Sequence, residues 1–321
     1  MSLATEFLDL VVESIEQVSA TARRFRFVHP EGDELPPFSP GAHVTLFLDT
    51  PEGRLRNAYT LSGPVDDRLG YSVTVQREEA GRGGSRFLHD RVRPGDPIRL
   101  RAPLNYFPIN HLARHHVFIA GGIGITPFLS MIAEVAAHGT GFELHYAFRS
   151  PDHAPYAEAL RARYGQNIHL WDGSQGKRMD LRAILACQHA GAQLYTCGPL
   201  RLIDAVEDTA AAIGWPRSHV QSERFRAVTD GAPFAVRLAS NGETVRVGAH
   251  QSLLDALEES GHPVDYMCRV GHCGRCCVGA HPGRGQLIHN DQTLTEDEHA
   301  ANDCIIPCVS RYRGEDLTLD L

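Results

Sequence analysis

Cys268, Cys273 and Cys276 form a C-x4-C-x2-C run, and Cys308 follows 32 positions after the third sulfur. This is plant-type spacing, in which four thiolates hold the two irons of a [2Fe–2S] cluster. One short loop supplies three of them, and Gly271 and Gly274 let backbone N–H groups approach the sulfides and tune the potential. Six of the eight cysteines fall within 41 residues, a crowding that points to metal. A zinc ribbon built from Cys273, Cys276, Cys304 and Cys308 is the competing arrangement, but it leaves Cys268 idle. In the cluster reading, Cys277 and Cys304 are bystanders and Cys187 is a core residue.

A second motif places Gly121, Gly122 and Gly124 just before Thr126 and Pro127. It leaves a compact apolar run and opens a helical one, so Thr126 is the predicted N-cap and Pro127 the first helical residue. A diphosphate laid on the glycine N–H groups would sit at the positive end of that helix. A glycine turn in any α/β sheet has the same look. The run Thr196, Cys197, Gly198, Pro199 adds a second pointer, small residues that leave room for a nicotinamide ring. Cys197 has no activating base beside it in the sequence and reads as packing and lining. Past the next apolar run, Arg149 and Ser150 suit a 2′-phosphate and Asp152 suits ribose hydroxyls. The reading is NADH, with NADPH the alternative.

The third group is Arg56, Tyr59 and Thr60, with Ser62 beyond. Tyr59 offers a plane for an isoalloxazine, Thr60 a hydroxyl for its N5 region, and Arg56 a cation for a phosphate. Downstream, Gly83, Gly84 and Ser85 belong to a glycine-rich run over 81–86 that opens a short helix predicted over 87–90. That is another helix start suited to phosphate, with Ser85 as an extra donor. Each piece alone suits an exposed arginine strand or a flexible loop. Together they supply one face and one clamp.

The elements that must carry these groups fall into three grammars. Runs at 25–28, 43–48 and 71–75 are β-branched and aromatic, with turn clusters between them, and suggest a small antiparallel β-barrel that closes near Pro108. From 109 to 226, strands at 117–120, 142–148, 168–170 and 193–195 alternate with helices at 127–138, 154–164, 179–186 and 200–213. That alternation implies a doubly wound parallel sheet with ligands at the carboxyl ends of its strands. A linker over 226–233 follows. Then 234–238 and 243–247 read as a hairpin around Asn241 and Gly242, and 252–260 as a helix stopped by Gly261.

The chain has 321 residues and a formal charge of −8. From Ala232 onward there are seven arginines, no lysine and 13 carboxylates, so most of the excess negative charge sits there. Net acidity argues against a nucleic-acid partner. No apolar stretch approaches the ~18–20 residues that span a bilayer. The first ten residues carry Glu6 and Asp9 and no basic segment, so the expected compartment is the cytoplasm.

Taken in order, Arg56 to Ser62, the glycine runs, the Cys197 turn and the cysteine loop resemble the phthalate dioxygenase reductase family, from about residue 7 to Leu321. The resemblance implies a flavin-binding β-barrel (1–108), a Rossmann-like α/β NAD domain (109–226) and an α+β β-grasp ferredoxin domain (227–321). It implies FMN as the flavin and Phe225 as an aromatic at the flavin–nicotinamide contact, with Thr60 and Phe225 the residues nearest the hydride. Where the family places arginine two residues before the tyrosine, this chain has Asn57; Arg56 and Arg54 are the nearby cations. The implied activity is electron transfer from NAD(P)H through FMN and [2Fe–2S] to a separate oxygenase of the Rieske non-haem iron type. A diiron hydroxylase or a P450 is the alternative acceptor. No protein nucleophile or general-base dyad is expected.

Overall fold

The computed structural model describes residues 7–50, 53–79, 83–189, 191–225 and 231–321. Gly81 and Arg82 of the glycine-rich run, residues 226–230 of the linker and the side chain of Arg54 lie outside the described residues. The chain divides into two compact units, Met1–Arg224 and Phe225–Leu321.

The first unit begins with strands β1 (Phe7–Gln17), β2 (Ala22–Val28), β3 (His43–Thr50), β4 (Gly53–Thr60) and β5 (Gly70–Gln76). Helix α1 (Gly84–Asp90) and β6 (Pro97–Leu104) follow. They form an antiparallel sheet in the order β4-β3-β6-β1-β2-β5, and a bridge between Leu61 and Val73 joins its two ends. Period-two alternation drives Phe25, Phe27, Val44, Leu46, Leu48 and Val73 to zero exposure inside. At roughly 1.5–3 kcal/mol for each fully buried apolar side chain, that interior is the driving force for closure. Strands β1, β4 and β6 did not stand out in the sequence because charged residues occupy their outward positions.

Next come β7 (His115–Gly121), α2 (Thr126–Ala137), β8 (Gly141–Phe148), α3 (Ala157–Tyr164) and β9 (Ile168–Asp172). After them run α4 (Leu181–Ala186), β10 (Gln193–Cys197), α5 (Leu200–Ala212) and β11 (Val220–Glu223). The sheet is parallel, in the order β11-β10-β7-β8-β9. Its strand order reverses between β7 and β10, the switch point at which such sheets bind ligands. Two expected helix starts move: α3 begins three residues late because Tyr156 adopts a left-handed φ of 64°, and α4 is capped by Asp180. Cys187 is exposed at the end of α4 rather than in the core.

Among the described residues, three hydrogen bonds stitch this sheet to the barrel. Gly41 N donates to Ser130 Oγ at 3.3 Å, and Ala20 N to the Asp152 carbonyl at 2.8 Å. The Tyr156 hydroxyl lies 2.7 Å from Thr74 Oγ1, itself 3.0 Å from Ser62 Oγ.

The second unit holds β12 (Phe234–Leu238), β13 (Thr244–Val247), α6 (Leu253–Glu259), β14 (Val278–Ile288), α7 (Glu296–Ala301), β15 (Cys304–Ile305) and β16 (Arg311–Leu319). The mixed sheet runs β13-β12-β16-β14-β15, with β12 and β16 parallel. The Asn241-Gly242 hairpin forms as expected, and the helix expected over 252–260 runs from Leu253 to Glu259 with Ser252 as its cap. Arg311, 3% exposed, donates to the carbonyls of Gln251, Ala232 and Gly248 at 2.8, 3.0 and 3.0 Å. Among the described residues no helix is long and apolar enough to cross a membrane.

Truncating Arg311 strands three buried carbonyls. Arg311→Ala is therefore expected to lower the unfolding free energy of this unit by about 3 kcal/mol. Urea titration followed by loss of the visible spectrum checks this; a midpoint unchanged from wild type would refute it.

Candidate functional site

The four cysteines of the expected cluster come together in the second unit. Cys268 hydrogen-bonds through its sulfur with Cys273 and Cys308, and Cys308 with Cys276. The sulfurs thus form a chain with Cys273 and Cys276 at its ends. Four ligands on one tetrahedral zinc would instead be mutual neighbours at ~3.8 Å, given Zn–S bonds near 2.3 Å. Among the described residues, no three of these sulfurs lie mutually within 4.8 Å. A chain suits two metal ions side by side, so the donor set fits a [2Fe–2S] cluster and not the zinc ribbon. Cys277 and Cys304 hydrogen-bond with each other, outside the four.

The loop is shaped for backbone donation. Cys268 is held well below the usual thiol range by the hydrogen bonds from Cys273 and Cys308, then by the N–H groups of Val270 and His272. Gly271 has φ of +78°, and a Cβ there would meet Val309 Cγ2 at 2.8 Å and Asp291 Cα at 3.1 Å. Arg269, between the first ligand and this turn, lies over the Tyr266 ring at 3.8 Å. It reaches Asp255 Oδ1 at 2.6 Å and also pairs with Glu258, both on α6.

In the first unit, the two turns at the switch point touch backbone to backbone. A Cβ on Gly124 would lie 2.3 Å from the Cys197 carbonyl oxygen, and one on Gly121 2.6 Å from Pro199 Cδ. Gly198 packs on Gly121 in the same way. Gly122, at φ +55°, faces open space. Residues Gly122–Ile125 wind as a 3-10 turn that runs into α2 and lies against β5 of the barrel. Thr126 is consequently helical, not an N-cap. Its hydroxyl donates to the Ile123 carbonyl at 3.1 Å, and Pro127 is the second helical residue.

Polar atoms without partners mark the cleft. Thr196 Oγ1 and Glu223 Oε2 are buried and make no hydrogen bond. Glu223 pairs in register with Cys197, and burial pushes its carboxyl up to about 8. The Cys197 thiol is also pushed up, by burial and then by Glu223. Thr196, paired with Ser222, faces the other side of the sheet, so a carboxamide laid against Cys197 would meet Glu223 alone. Sequence reasoning gave Glu223 no role; an acidic residue ending the strand beside the Cys197 turn was the available signal. Arg224 is fixed to α5 through Glu207 at 2.7 Å and Asp204 at 3.1 Å, and Phe225 after it is 39% exposed.

On β4, pairing with β3 settles which side chain points where. Arg56 pairs with Phe47 and lies over its ring at 5.7 Å, on the outer face. Asn57 pairs with the buried Leu46 and ends against Gly84 at the start of α1. The side chain aimed at the expected phosphate position is thus Asn57, not Arg56. Its Oδ1 is buried without a partner, which suits a ribityl hydroxyl, while Nδ2 donates to the Tyr59 hydroxyl at 3.4 Å. Tyr59 shares this face; Thr60, 5% exposed, is on the other. Helix α1 starts at Gly84, after a left-handed Gly83, and Ser85 Oγ accepts from Glu78 N at 3.1 Å.

Comparison with known proteins assigns each segment. Residues 9–108 match the oxidoreductase FAD-binding domain family, and residues 236–313 the 2Fe-2S iron-sulfur cluster binding domain family. Residues 97–220 match the N-terminal domain of dimethylamine monooxygenase subunit DmmA-like proteins. The chain is 40% identical to the heme-dependent oxidative N-demethylase beta subunit of Ectopseudomonas mendocina, over 98% of this chain and 99% of that one. It is 36% identical to the carnitine monooxygenase reductase subunit of Acinetobacter baumannii, over 98% of each. The crystal structure of phthalate dioxygenase reductase, described as modular for electron transfer from pyridine nucleotides to [2Fe-2S], superposes with a TM-score of 0.78. It is 32% identical and covers 98% of both chains.

The contact between the two turns leaves no room for a methyl group. Gly124→Ala is expected to cost about 1–3 kcal/mol and to weaken nucleotide binding while iron content stays at wild-type level. Equilibrium unfolding and NADH titration monitored by fluorescence check both halves; unaltered binding would contradict the placement.

Proposed function

Since the chain belongs to the phthalate dioxygenase reductase-like family of flavin and [2Fe–2S] reductases, we propose that it takes hydride from NADH and uses FMN as its flavin. We propose further that it supplies a separate Rieske non-haem iron oxygenase in the cytoplasm. As a family member it is an NAD(P)H-dependent reductase component that serves an oxygenase. The cofactors supply the conversion of a two-electron hydride into single electrons; the protein positions them. The observation that carries the reading is the chain of four sulfurs from Cys268, Cys273, Cys276 and Cys308, which suits two irons and no single metal.

The residue roles are part of this proposal. Gly121, Gly122 and Gly124, with Thr126 and Pro127 behind them, cradle the nucleotide diphosphate. Cys197, Gly198 and Pro199 line the nicotinamide pocket. The Glu223 carboxyl, protonated below about pH 8, orients the carboxamide. Tyr59 lies on the flavin face and Thr60 bonds near N5. Asn57, Gly83, Gly84 and Ser85 hold the ribityl–phosphate end. In this arrangement Arg56 braces Phe47 instead of gripping phosphate. NADH is favoured because His153 Nδ1 lies 2.9 Å from the Ser150 hydroxyl, while Asp152 adds a carboxylate to the same turn. Eight free cysteines suit a reducing compartment.

A haem-dependent demethylase is the second reading of the acceptor. The 40% identity to the heme-dependent oxidative N-demethylase beta subunit favours it. Assay of the reduced protein against a Rieske oxygenase and against a haem demethylase decides between them.

Cys273→Ser is expected to cut cluster-dependent transfer more than ~100-fold while NADH–ferricyanide activity persists, since that dye accepts electrons from flavin. Joint loss of both activities would refute the division of labour. Glu223→Gln should remove an inflection near pH 8 from the rate of flavin reduction, because only the acid loses its proton there. A retained inflection would assign it elsewhere. Transfer to the oxygenase should slow roughly tenfold between low and high salt if the acidic C-terminal segment steers docking; a flat salt profile removes steering.

A further inference from the structure

We propose that His289, Asp291 and His299 form a second metal site in the C-terminal unit, one that takes a single borderline divalent ion such as Zn²⁺. The three donate from different places: His289 just after β14, Asp291 in the following turn, His299 on α7. One ligand atom of each lies within 4.8 Å of the others. His299 Nε2 is 3.3 Å from both Asp291 oxygens, and His289 Nδ1 is 3.8 Å from Asp291 Oδ1. Bonds of about 2.0–2.2 Å to one ion would place such donors roughly 3.3–3.5 Å apart.

Two independent observations point to a ligand. The His289 side chain is 9% exposed, yet both ring nitrogens are buried without a hydrogen-bond partner. Asn302 is the polar side chain that neighbours the ring besides Asp291 and His299. Asp291, whose side chain is fully buried, spends Oδ2 on the N–H groups of Thr293 and Leu294 at 3.2 and 2.9 Å. Oδ1 keeps only contacts of 3.3 Å or longer, including Ser310 Oγ at 3.4 Å, and so retains a lone pair for an ion.

Access comes from an open cavity of 670 Å³ lined by both histidines, Gln286, Asn302 and Arg313. The His299 ring stacks on that of His289 at 4.4 Å. Ligation requires it to turn out of that stack, and it is the partner with room, at 31% exposure. Two imidazoles and one carboxylate favour zinc, nickel or copper over calcium or magnesium.

The test uses holoprotein with full flavin and iron, freed of other metal, titrated with Zn²⁺ alone and analysed for metal after desalting. One equivalent is expected, with nitrogen and oxygen donors in zinc-edge X-ray absorption. His299→Ala and His289→Ala should each weaken binding by at least about tenfold with flavin and iron unchanged. The double variant Cys277→Ser, Cys304→Ser should keep the equivalent. No uptake by wild type, equal uptake by His299→Ala, loss in the cysteine variant or a sulfur shell would each overturn the site.

Discussion

Thiolates crowded into one pocket repel. Two unit charges 4 Å apart cost about 4 kcal/mol even at an effective dielectric of 20, so four sulfurs in a chain need either shared protons or cations between them. The second unit is organised around that demand. The four sulfurs neighbour one another there, Cys268 beside Cys273 and Cys308. Backbone N–H groups of Val270 and His272 also approach Cys268. The guanidinium of Arg269, next to Cys268 in sequence, is turned to Asp255 and Glu258, where it fixes the loop to α6. Geometry of this kind leaves the neutralising charge to be brought by the metal.

A different constraint governs the first unit, where the limit is space. The turns after β7 and β10 approach until only hydrogen fits on Gly121, Gly124 and Gly198. That contact fixes the floor of the cleft at the switch point, with the Glu223 carboxyl left unsatisfied beside it. The same turn rests on β5, so the barrel's closing edge, which carries Thr60 and Leu61, stands beside the nucleotide end of the sheet.

Much of this was readable from residue order, for reasons that are local. The cysteine spacing, the glycine run and the Asn-Gly hairpin are short-range patterns whose chemistry does not depend on distant partners. What escaped was decided by pairing. Whether Arg56 or Asn57 faces the start of α1 depends on the parity of β4 against β3, which single-strand composition leaves open. Thr126 has the right side chain for a cap, but the 3-10 turn ahead of it already supplies helical backbone and turns its hydroxyl onto Ile123. Cys187 looked apolar enough for a core and is instead left outside by the end of α4. Glu223 gains its shifted ionisation entirely from burial, which no neighbour in sequence announces.

The stitching of the barrel to the parallel sheet bears on how such proteins recombine. Gly41 to Ser130, Ala20 to Asp152 and Thr74 to Tyr156 are paired across sequence distances of 82 residues or more. Each joins a side chain or turn of one lobe to a specific acceptor in the other. Exchanging either lobe with a distant relative would break all three seams at once. Gene fusions that shuffle these parts should accordingly move barrel and sheet as one cassette, while the segment after Arg224 is free to be appended, relocated or lost.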